Sequence, residues 1–109
     1  MGAKISQYDV FWVNLDPVEG SEMAKKRPCV IISPDEMNDY LKTVVIAPLT
    51  STLKSLPSRV RVFVDRQDGM VALDHIRSVS KTRIGDHIGK LRTSEIQSIK
   101  DSIQAMFVD

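Results

Sequence analysis

The segment KKRPCVIISP, from Lys25 to Pro34, places three cations directly before an apolar run of strand-forming residues. A strand that enters a hydrophobic core usually keeps charge at a distance, so these cations indicate a negatively charged group outside the core. Arg27 suits a phosphate, because a planar guanidinium donates two parallel hydrogen bonds and stays charged at any working pH. The segment therefore predicts a phosphate site at the mouth of a strand.

A row of hydroxyls follows the apolar run TVVIAPL, where Thr50, Ser51 and Thr52 stand side by side. The Thr50 hydroxyl can donate to a non-bridging phosphate oxygen, or it can satisfy a backbone group at the end of a strand. Glu22 precedes the cations and can orient Arg27, accept a proton or remain simply solvated. These alternatives stay open from the residues alone.

The chain has two histidines, His75 and His87, and one cysteine, Cys29. No pair of them has metal-ligand spacing, and neither a glycine-rich phosphate loop nor a GxSxG elbow is present. A Cys29–His75 nucleophilic pair is formally available, but Cys29 lies inside an apolar strand and is better interpreted as a small buried hydrophobe. His75 can read a base, contact phosphate, transfer protons or be a buried structural residue.

Composition predicts one domain over residues 1–109, with 42% hydrophobic and 27% charged residues and a net charge of +1. The charge is uneven, because residues 51–92 carry nine Lys or Arg against four Asp or Glu. That segment suits a polyanion or an acidic partner, although solvated loops would look the same. We expect a reduced, cytoplasmic protein, since no signal peptide, membrane span or disulfide framework is evident.

Short strands dominate the predicted elements. Alternation and β-branched content predict strands at Asp9–Leu15, Arg27–Ser33, Thr43–Leu49, Arg59–Val64, Met70–Ser80 (with a bend) and Ile84–Leu91. Asp68-Gly69 is predicted to be a turn, and Pro17–Lys26 a long loop.

Two helices complete the prediction. A short one covers Asp35–Leu41, with Ser33 as its N-cap and Pro34 at its first position. The C-terminal helix is capped by Thr93 or Ser94, and Ile96, Ile99, Ile103, Met106 and Phe107 form its apolar stripe, suited to core or dimer packing. Together these elements predict a mainly β (α+β) fold, a compact antiparallel barrel with helices packed on it.

The stretch VNLDPVEGSEMAKKRPCVIISPDEMN resembles the N-terminal signature of the MazF/PemK (Kid) toxin family. VVIAPLTS and GMVALDHIRSV match the family further along, in the same order and with similar spacing, so the resemblance spans nearly the whole chain. It implies an SH3-like barrel of the CcdB/MazF type with an added C-terminal helix, acting as a cytoplasmic homodimer.

The resemblance also implies a function. Members are toxins of type II toxin–antitoxin systems that cut single-stranded RNA at a short sequence without metal or other cofactor. Attack by the 2′-OH would give 2′,3′-cyclic phosphate and 5′-OH ends. The implied partners are RNA and an antitoxin whose flexible C-terminal segment lies over the RNA groove, and the complex would bind DNA.

The family's key arginine maps onto Arg27, its threonine onto Thr50, its loop glutamate onto Glu22 and the Kid-type aspartate onto Asp74. His75 stands where the family usually has glutamine, and Ser21 and Ala72 replace a histidine and an arginine of Kid-type members. An Arg–Thr scheme therefore fits better than a Kid-type one. The predicted substrate-binding residues are Lys25, Lys26, Ser51, Lys54, Asp74, His75, Arg77 and Arg83, and Arg59, Arg61 and Lys81 are further candidates for phosphate contacts.

Two other hypotheses remain at this stage. A gyrase poison of the CcdB type shares the barrel but would bind a protein target and has no need of Arg27 and Thr50. An inactive RNA-binding module would bind RNA in a salt-dependent way and leave it intact.

Overall fold

The computed structural model describes residues 4–15 and 26–108, whose main feature is a curled antiparallel sheet of seven strands. The strands are β1 (Asp9–Asn14), β2 (Lys26–Ile31), β3 (Thr43–Thr50), β4 (Arg59–Val64), β5 (Gln67–Ala72), β6 (Arg77–Ser80) and β7 (Ile84–Lys90). Their order is β4-β5-β3-β2-β1-β7, and β6 also pairs with β3. The helices are α1 (Asp35–Tyr40) and α2 (Thr93–Ile103), which continues into a π-helical turn at Gln104–Val108. The predicted mainly β fold with two helices is confirmed.

Strands β1, β2 and β3 bury both of their faces, as their nearly continuous apolar sequences predict. One face contributes Val10, Val30 and Ala47 to a core that also receives β4, β5 and Ile99 of α2. The other face contributes residues such as Phe11 and Ile46 to a second cluster. Successive residues on a strand point to opposite faces, so neighbours in sequence supply different cores.

The predicted long strand Met70–Ser80 is interrupted, and the cause is its pairing with β3. Val71 lies opposite Leu49, whereas Arg77 lies opposite Ile46. Five residues, 72–76, therefore span the distance that β3 covers with Ala47 and Pro48 alone. The surplus forms a 3₁₀ turn at Leu73–His75. Pro48 marks this break in the ladder, because proline has no N–H to donate to a neighbouring strand.

The hairpin between β4 and β5 turns at Asp65-Arg66, so the predicted turn at Asp68-Gly69 is wrong. Val64 pairs with Gln67, and both loop residues have positive φ, 53° and 64°. Two-residue hairpins need this left-handed backbone to match the strand twist. Gly69 lies within β5 instead, where a Cβ atom would come 3.3 Å from the backbone oxygen of Thr50. Close packing between the strands therefore explains why residue 69 is a glycine.

Both predicted N-caps are wrong. The residue before α1 is Pro34, and the buried Ser33 hydroxyl instead donates to Asn38 Oδ1 (2.6 Å) and accepts from Val45 N (3.0 Å). Helix α2 begins after Arg92, one residue earlier than predicted. Within residues 4–15 and 26–108, neither helix has the length and apolar character needed to cross a bilayer.

Glu95 joins α2 to the edge strand β4. Its carboxylate is 5% exposed and accepts hydrogen bonds from Arg92 N, Arg92 Nη2 and Phe63 N, each at 2.8 Å. Burial alone would raise the pKa of Glu95, but these hydrogen bonds outweigh it and the pKa is lowered. The carboxylate satisfies a backbone donor of β4 and the start of α2 at once.

We expect Glu95→Gln to lower the free energy of unfolding by about 1–3 kcal/mol at pH 7, because it weakens the charged hydrogen bonds that the buried Glu95 carboxylate accepts. A group whose folded-state pKa is depressed stabilises the protein above its unfolded pKa, about 4.3, and loses that contribution as pH falls further. The difference between Glu95→Gln and wild type should therefore shrink below about pH 4. Urea unfolding at pH 7 and at pH 3.5 measures it. The exposed Glu36→Gln is the matched control, and an equal loss in both variants would contradict the assignment.

Cys29 is fully enclosed by the second core cluster, and burial raises the pKa of its thiol to about 12 although Arg27 and Arg77 act in the opposite direction. Since the thiolate is the reactive form, we expect the native protein at pH 8 to resist iodoacetamide under conditions that alkylate the urea-unfolded chain completely. Mass spectrometry of the two samples measures this. Equal alkylation rates would show that Cys29 is accessible.

Candidate functional site

Arg27 and Thr50 lie side by side on neighbouring strands, at the ends of β2 and β3. The antiparallel pairing of β2 with β3 ends at Cys29 opposite Pro48, and continuing this register by two residues would place Arg27 level with Thr50. Both residues, together with Leu49, line two adjacent pockets. We call this shared wall the Arg27–Thr50 ridge. The two residues that the sequence singled out for phosphate therefore lie on one surface.

The first pocket, the Trp12 pocket, has a volume of about 460 Å³ and lies on one side of the ridge. Trp12 is 41% exposed, whereas its neighbours Phe11 and Val13 are buried on the opposite face of β1. The remaining lining mixes apolar, polar and charged residues of both signs: Lys26, Pro28, Ser51, Val64, Asp65, Gln67, Asp68, Gly69 and Ile88. This combination of a flat aromatic side chain and polar groups suits a planar ligand that carries hydrogen-bonding edges.

The second pocket, the His75 pocket, has a volume of about 320 Å³ and lies on the other side of the ridge. Besides the ridge residues, its lining consists of Leu15, Pro48, Arg59, Ala72, His75 and Arg77. Three of these residues are arginine or histidine, and none is acidic. The pocket is thus suited to negatively charged groups.

The Thr50 hydroxyl is oriented by the backbone. Its Oγ1 accepts a hydrogen bond from Thr52 N at 3.2 Å. This contact matches the predicted alternative in which the hydroxyl satisfies a backbone group at the end of a strand. A hydroxyl that accepts one hydrogen bond still has its own proton to donate. The close approach of Gly69 to the Thr50 backbone oxygen further defines the end of β3. The two hypotheses for Thr50 are therefore compatible.

Asp74 and His75 occupy the 3₁₀ turn that interrupts the predicted strand Met70–Ser80. Leu73 is 1% exposed, whereas the His75 side chain is 64% exposed, which also excludes a buried structural role for that histidine. Asp74 receives two hydrogen bonds from Arg59, Nε to Oδ1 at 2.8 Å and Nη2 to Oδ2 at 3.1 Å. These bonds hold the pKa of Asp74 far below its usual range.

The other predicted site residues divide by location. Lys26 and Ser51 line the Trp12 pocket, Arg77 lines the His75 pocket, and Lys54 is exposed in the loop between β3 and β4. Arg83 donates to the backbone oxygen of Asn14 at 3.1 Å and lines neither pocket. Glu22 and Lys25 lie outside the described residues, as do Ser21 and nearly all of the predicted Pro17–Lys26 loop.

The acidic and aromatic side of the site was not predicted from the sequence. Trp12 stands in the continuous apolar run Val10–Val13, so no alternation marks it as exposed. Asp65, Gln67 and Asp68 carry no local signal of a binding role. Arg59 was identified only as a phosphate contact, whereas its guanidinium is bound to Asp74.

Metal and thiol chemistry find little support in the described part of the chain. Among residues 4–15 and 26–108, no group of three or more His, Cys, Asp and Glu side chains is arranged to hold a metal ion. Cys29 lines neither pocket and is fully buried, whereas His75 is exposed, so a Cys29–His75 nucleophilic pair does not form.

Two relatives match nearly the full length of this chain. The endoribonuclease toxin MazF of Escherichia coli (strain K12) is 31% identical over 99 residues, covering 90% of this chain and 89% of that protein. Endoribonuclease EndoA of Bacillus subtilis (strain 168) is 28% identical over 106 residues, covering 92% and 91%. The predictions of a toxin and of an endoribonuclease are confirmed by these relatives.

Solved structures share the fold at lower identity. A MazE–MazF structure from Deinococcus radiodurans superposes with a TM-score of 0.84 at 21% identity, covering 98% of each chain. A mycobacterial endoribonuclease in complex with its cognate antitoxin gives 0.79 at 22% identity, covering 92% of this chain and 91% of that one. These similarities confirm the predicted MazF-type barrel with its C-terminal helix. The family described as "PemK-like, MazF-like toxin of type II toxin-antitoxin system" matches residues 6–107, and the chain belongs to that family.

Proposed function

We propose that this toxin cuts single-stranded RNA at a short sequence by promoting attack of a 2′-OH on the adjacent phosphorus, at the Arg27–Thr50 ridge. The observation that carries the proposal is the common location of Arg27 and Thr50 on the wall between two pockets. If a phosphodiester binds on this ridge, the two nucleotides that it joins would lie next to different pockets. The products would be a 2′,3′-cyclic phosphate and a 5′-OH end.

Arg27 stabilises the charge that develops on the phosphoryl oxygens. RNA supplies its own nucleophile, so the enzyme mainly has to align the attack and stabilise a transition state that is richer in charge on oxygen. A guanidinium remains protonated throughout, and for the same reason it is a poor base. Pro28 follows directly and fixes the backbone beside Arg27 in an extended conformation. The guanidinium therefore extends from the start of β2, where it can bind a phosphate.

Thr50 donates its hydroxyl proton to a non-bridging oxygen of the same phosphate. The hydrogen bond that it accepts from Thr52 N orients the hydroxyl before substrate arrives. Lys26 and Arg77, one in each pocket, contact neighbouring phosphates and determine affinity more than the cleavage site. Lys54 extends this basic surface along the loop after β3.

The proposed assembly is a homodimer that is inhibited by an antitoxin. A flexible C-terminal segment of the antitoxin would lie over the same groove as RNA, and the complex would bind DNA. The exposed apolar residues Phe107 and Val108, at the end of the C-terminal helical segment, are compatible with packing against another chain. We also propose a cytoplasmic location, where RNA is available.

Arg27→Ala should reduce RNA cleavage by about 1,000-fold or more, because it removes the main source of charge stabilisation in the transition state. The fold should survive, since the Arg27 side chain is exposed. Cleavage of a mixed cellular RNA in EDTA, followed by sequencing of 5′-OH ends, measures activity, site and bond chemistry together. Lys42→Ala, which removes a charge from a residue that lines neither pocket, is the control. Absence of cleavage by wild type across varied RNAs would refute the proposed function, and inhibition of DNA supercoiling instead would support a gyrase poison.

Thr50→Val should slow cleavage by about 10- to 100-fold, since it replaces the donating hydroxyl with a methyl group of the same shape. Thr50→Ser should retain most of the activity, because it keeps the hydroxyl that Thr52 N orients. Rates of both variants on an RNA oligonucleotide containing the mapped site provide the measurement. If both variants cut as fast as wild type, Thr50 has only the structural role.

A further inference from the structure

His75 lies next to the Arg27–Thr50 ridge, in a 3₁₀ turn that interrupts the sheet. It ends the 3₁₀ turn that absorbs the surplus residues opposite β3, and it lines the same pocket as Arg27 and Thr50. Its side chain is 64% exposed, so the imidazole is accessible to a bound substrate. The reactive phosphate and the histidine would thus share one compartment of about 320 Å³.

The turn that carries His75 is anchored on both sides. The Leu73 side chain is 1% exposed in the main core, and Leu73 N donates to the backbone oxygen of Ser58 at 2.9 Å. Ile76 N closes the turn by donating to Leu73 O at 3.3 Å. These contacts fix the backbone from which the His75 side chain extends toward the pocket.

One nitrogen of the imidazole faces a carboxylate. His75 Nε2 lies 3.4 Å from Asp74 Oδ2, and Asp74 is itself bound by Arg59 through both oxygens. The Asp74 carboxylate is too weakly basic to accept a proton from ribose, because the Arg59 hydrogen bonds stabilise its ionised form. It can instead orient the imidazole by electrostatic attraction at Nε2, at a distance longer than that of a strong hydrogen bond.

We propose that His75 is the general base of the reaction and that Asp74 and Arg59 are the residues that position it. This inference rests on the proposed ribonuclease function. The 2′-O–H bond breaks and its proton passes to His75 Nδ1, while the 2′-oxygen forms a bond to phosphorus. The bond from phosphorus to the 5′-oxygen then breaks, and that oxygen takes a proton from solvent. The imidazolium finally returns its proton to solvent, which restores the enzyme.

The charged groups around His75 come from four elements. Asp74 is on the same turn, Arg59 is on β4, Arg77 begins β6 and Arg27 is on β2. Since Nε2 lies beside the Asp74 carboxylate, the ring nitrogen that remains for taking up a proton is Nδ1. The arginines also bind the phosphate close to this nitrogen, so the proton moves over a short distance.

The pH dependence of cleavage tests the proposal. With wild type, the single-turnover rate on an RNA oligonucleotide containing the mapped site should rise about tenfold per pH unit in mildly acidic solution and level off near neutrality. His75→Gln keeps a hydrogen-bonding side chain of similar reach but cannot take up a proton. It should lower the rate at pH 7.5 by about 100-fold or more and remove the rise with pH.

His87→Gln is the matched control, because His87 is also exposed and near a carboxylate, Asp9 at 3.1 Å, yet lines neither pocket. It should retain the wild-type rate and pH profile. Asp74→Asn tests the positioning role. It should slow the chemical step by about tenfold with little change in KM, whereas loss of an RNA contact would mainly raise KM.

Three outcomes would overturn the proposal. His75→Gln could keep the acidic limb and a rate within about threefold of wild type. It could instead cut a different sequence at the wild-type rate, which would make His75 a base-reading residue. Failure of wild type to cut any RNA would refute the proposed function and this inference with it. If Arg27→Ala abolishes cleavage and His75→Gln does not, only the assignment of His75 fails.

Discussion

The site depends on how β3 is paired. This strand has β2 on one edge, and its other edge is divided between β5 and β6. The pairing with β2 brings Arg27 level with Thr50, and the interruption between β5 and β6 projects the Asp74–His75 turn beside them. Both halves of the site therefore depend on the register of β3. A shift of that register by a single residue would exchange core and surface side chains.

Charge is distributed unevenly around the ridge. The His75 pocket has arginines and no carboxylate in its lining, and the nearby Asp74 is bound by Arg59. Without that ion pair, a bare carboxylate would stand beside the proposed phosphate and repel it. The Trp12 pocket instead contains Asp65 and Asp68, near which a base edge is more suitable than a phosphate. The two sides of the ridge thus favour different parts of one nucleic acid chain.

Strong local patterns made most of the architecture predictable. The alternation of Val60, Val62 and Val64, the apolar run of β3 and the apolar stripe from Ile96 to Met106 appear as the sequence indicates, because burial decides them. Phe107, the last residue of the predicted stripe, is exposed instead. The errors arose where tertiary contacts override local preference. Asp68-Gly69 has the composition of a turn, but Gly69 serves close packing against Thr50, and two residues without a turn signature form the hairpin. The Arg27–Thr50 pairing followed from family resemblance, whereas the Arg59–Asp74 pair depends on which strands become neighbours and has no local signal.

The wall shared by the two pockets has an evolutionary consequence. Residues that would contact bases, such as Trp12 and Gln67, stand apart in sequence from Arg27 and Thr50 and occupy surface positions. Under the proposed function, substitutions there would change which transcripts are attacked and leave Arg27 and Thr50 in place. A lineage of such toxins could then diversify its targets through a few exchanges at the margins of an unaltered reaction.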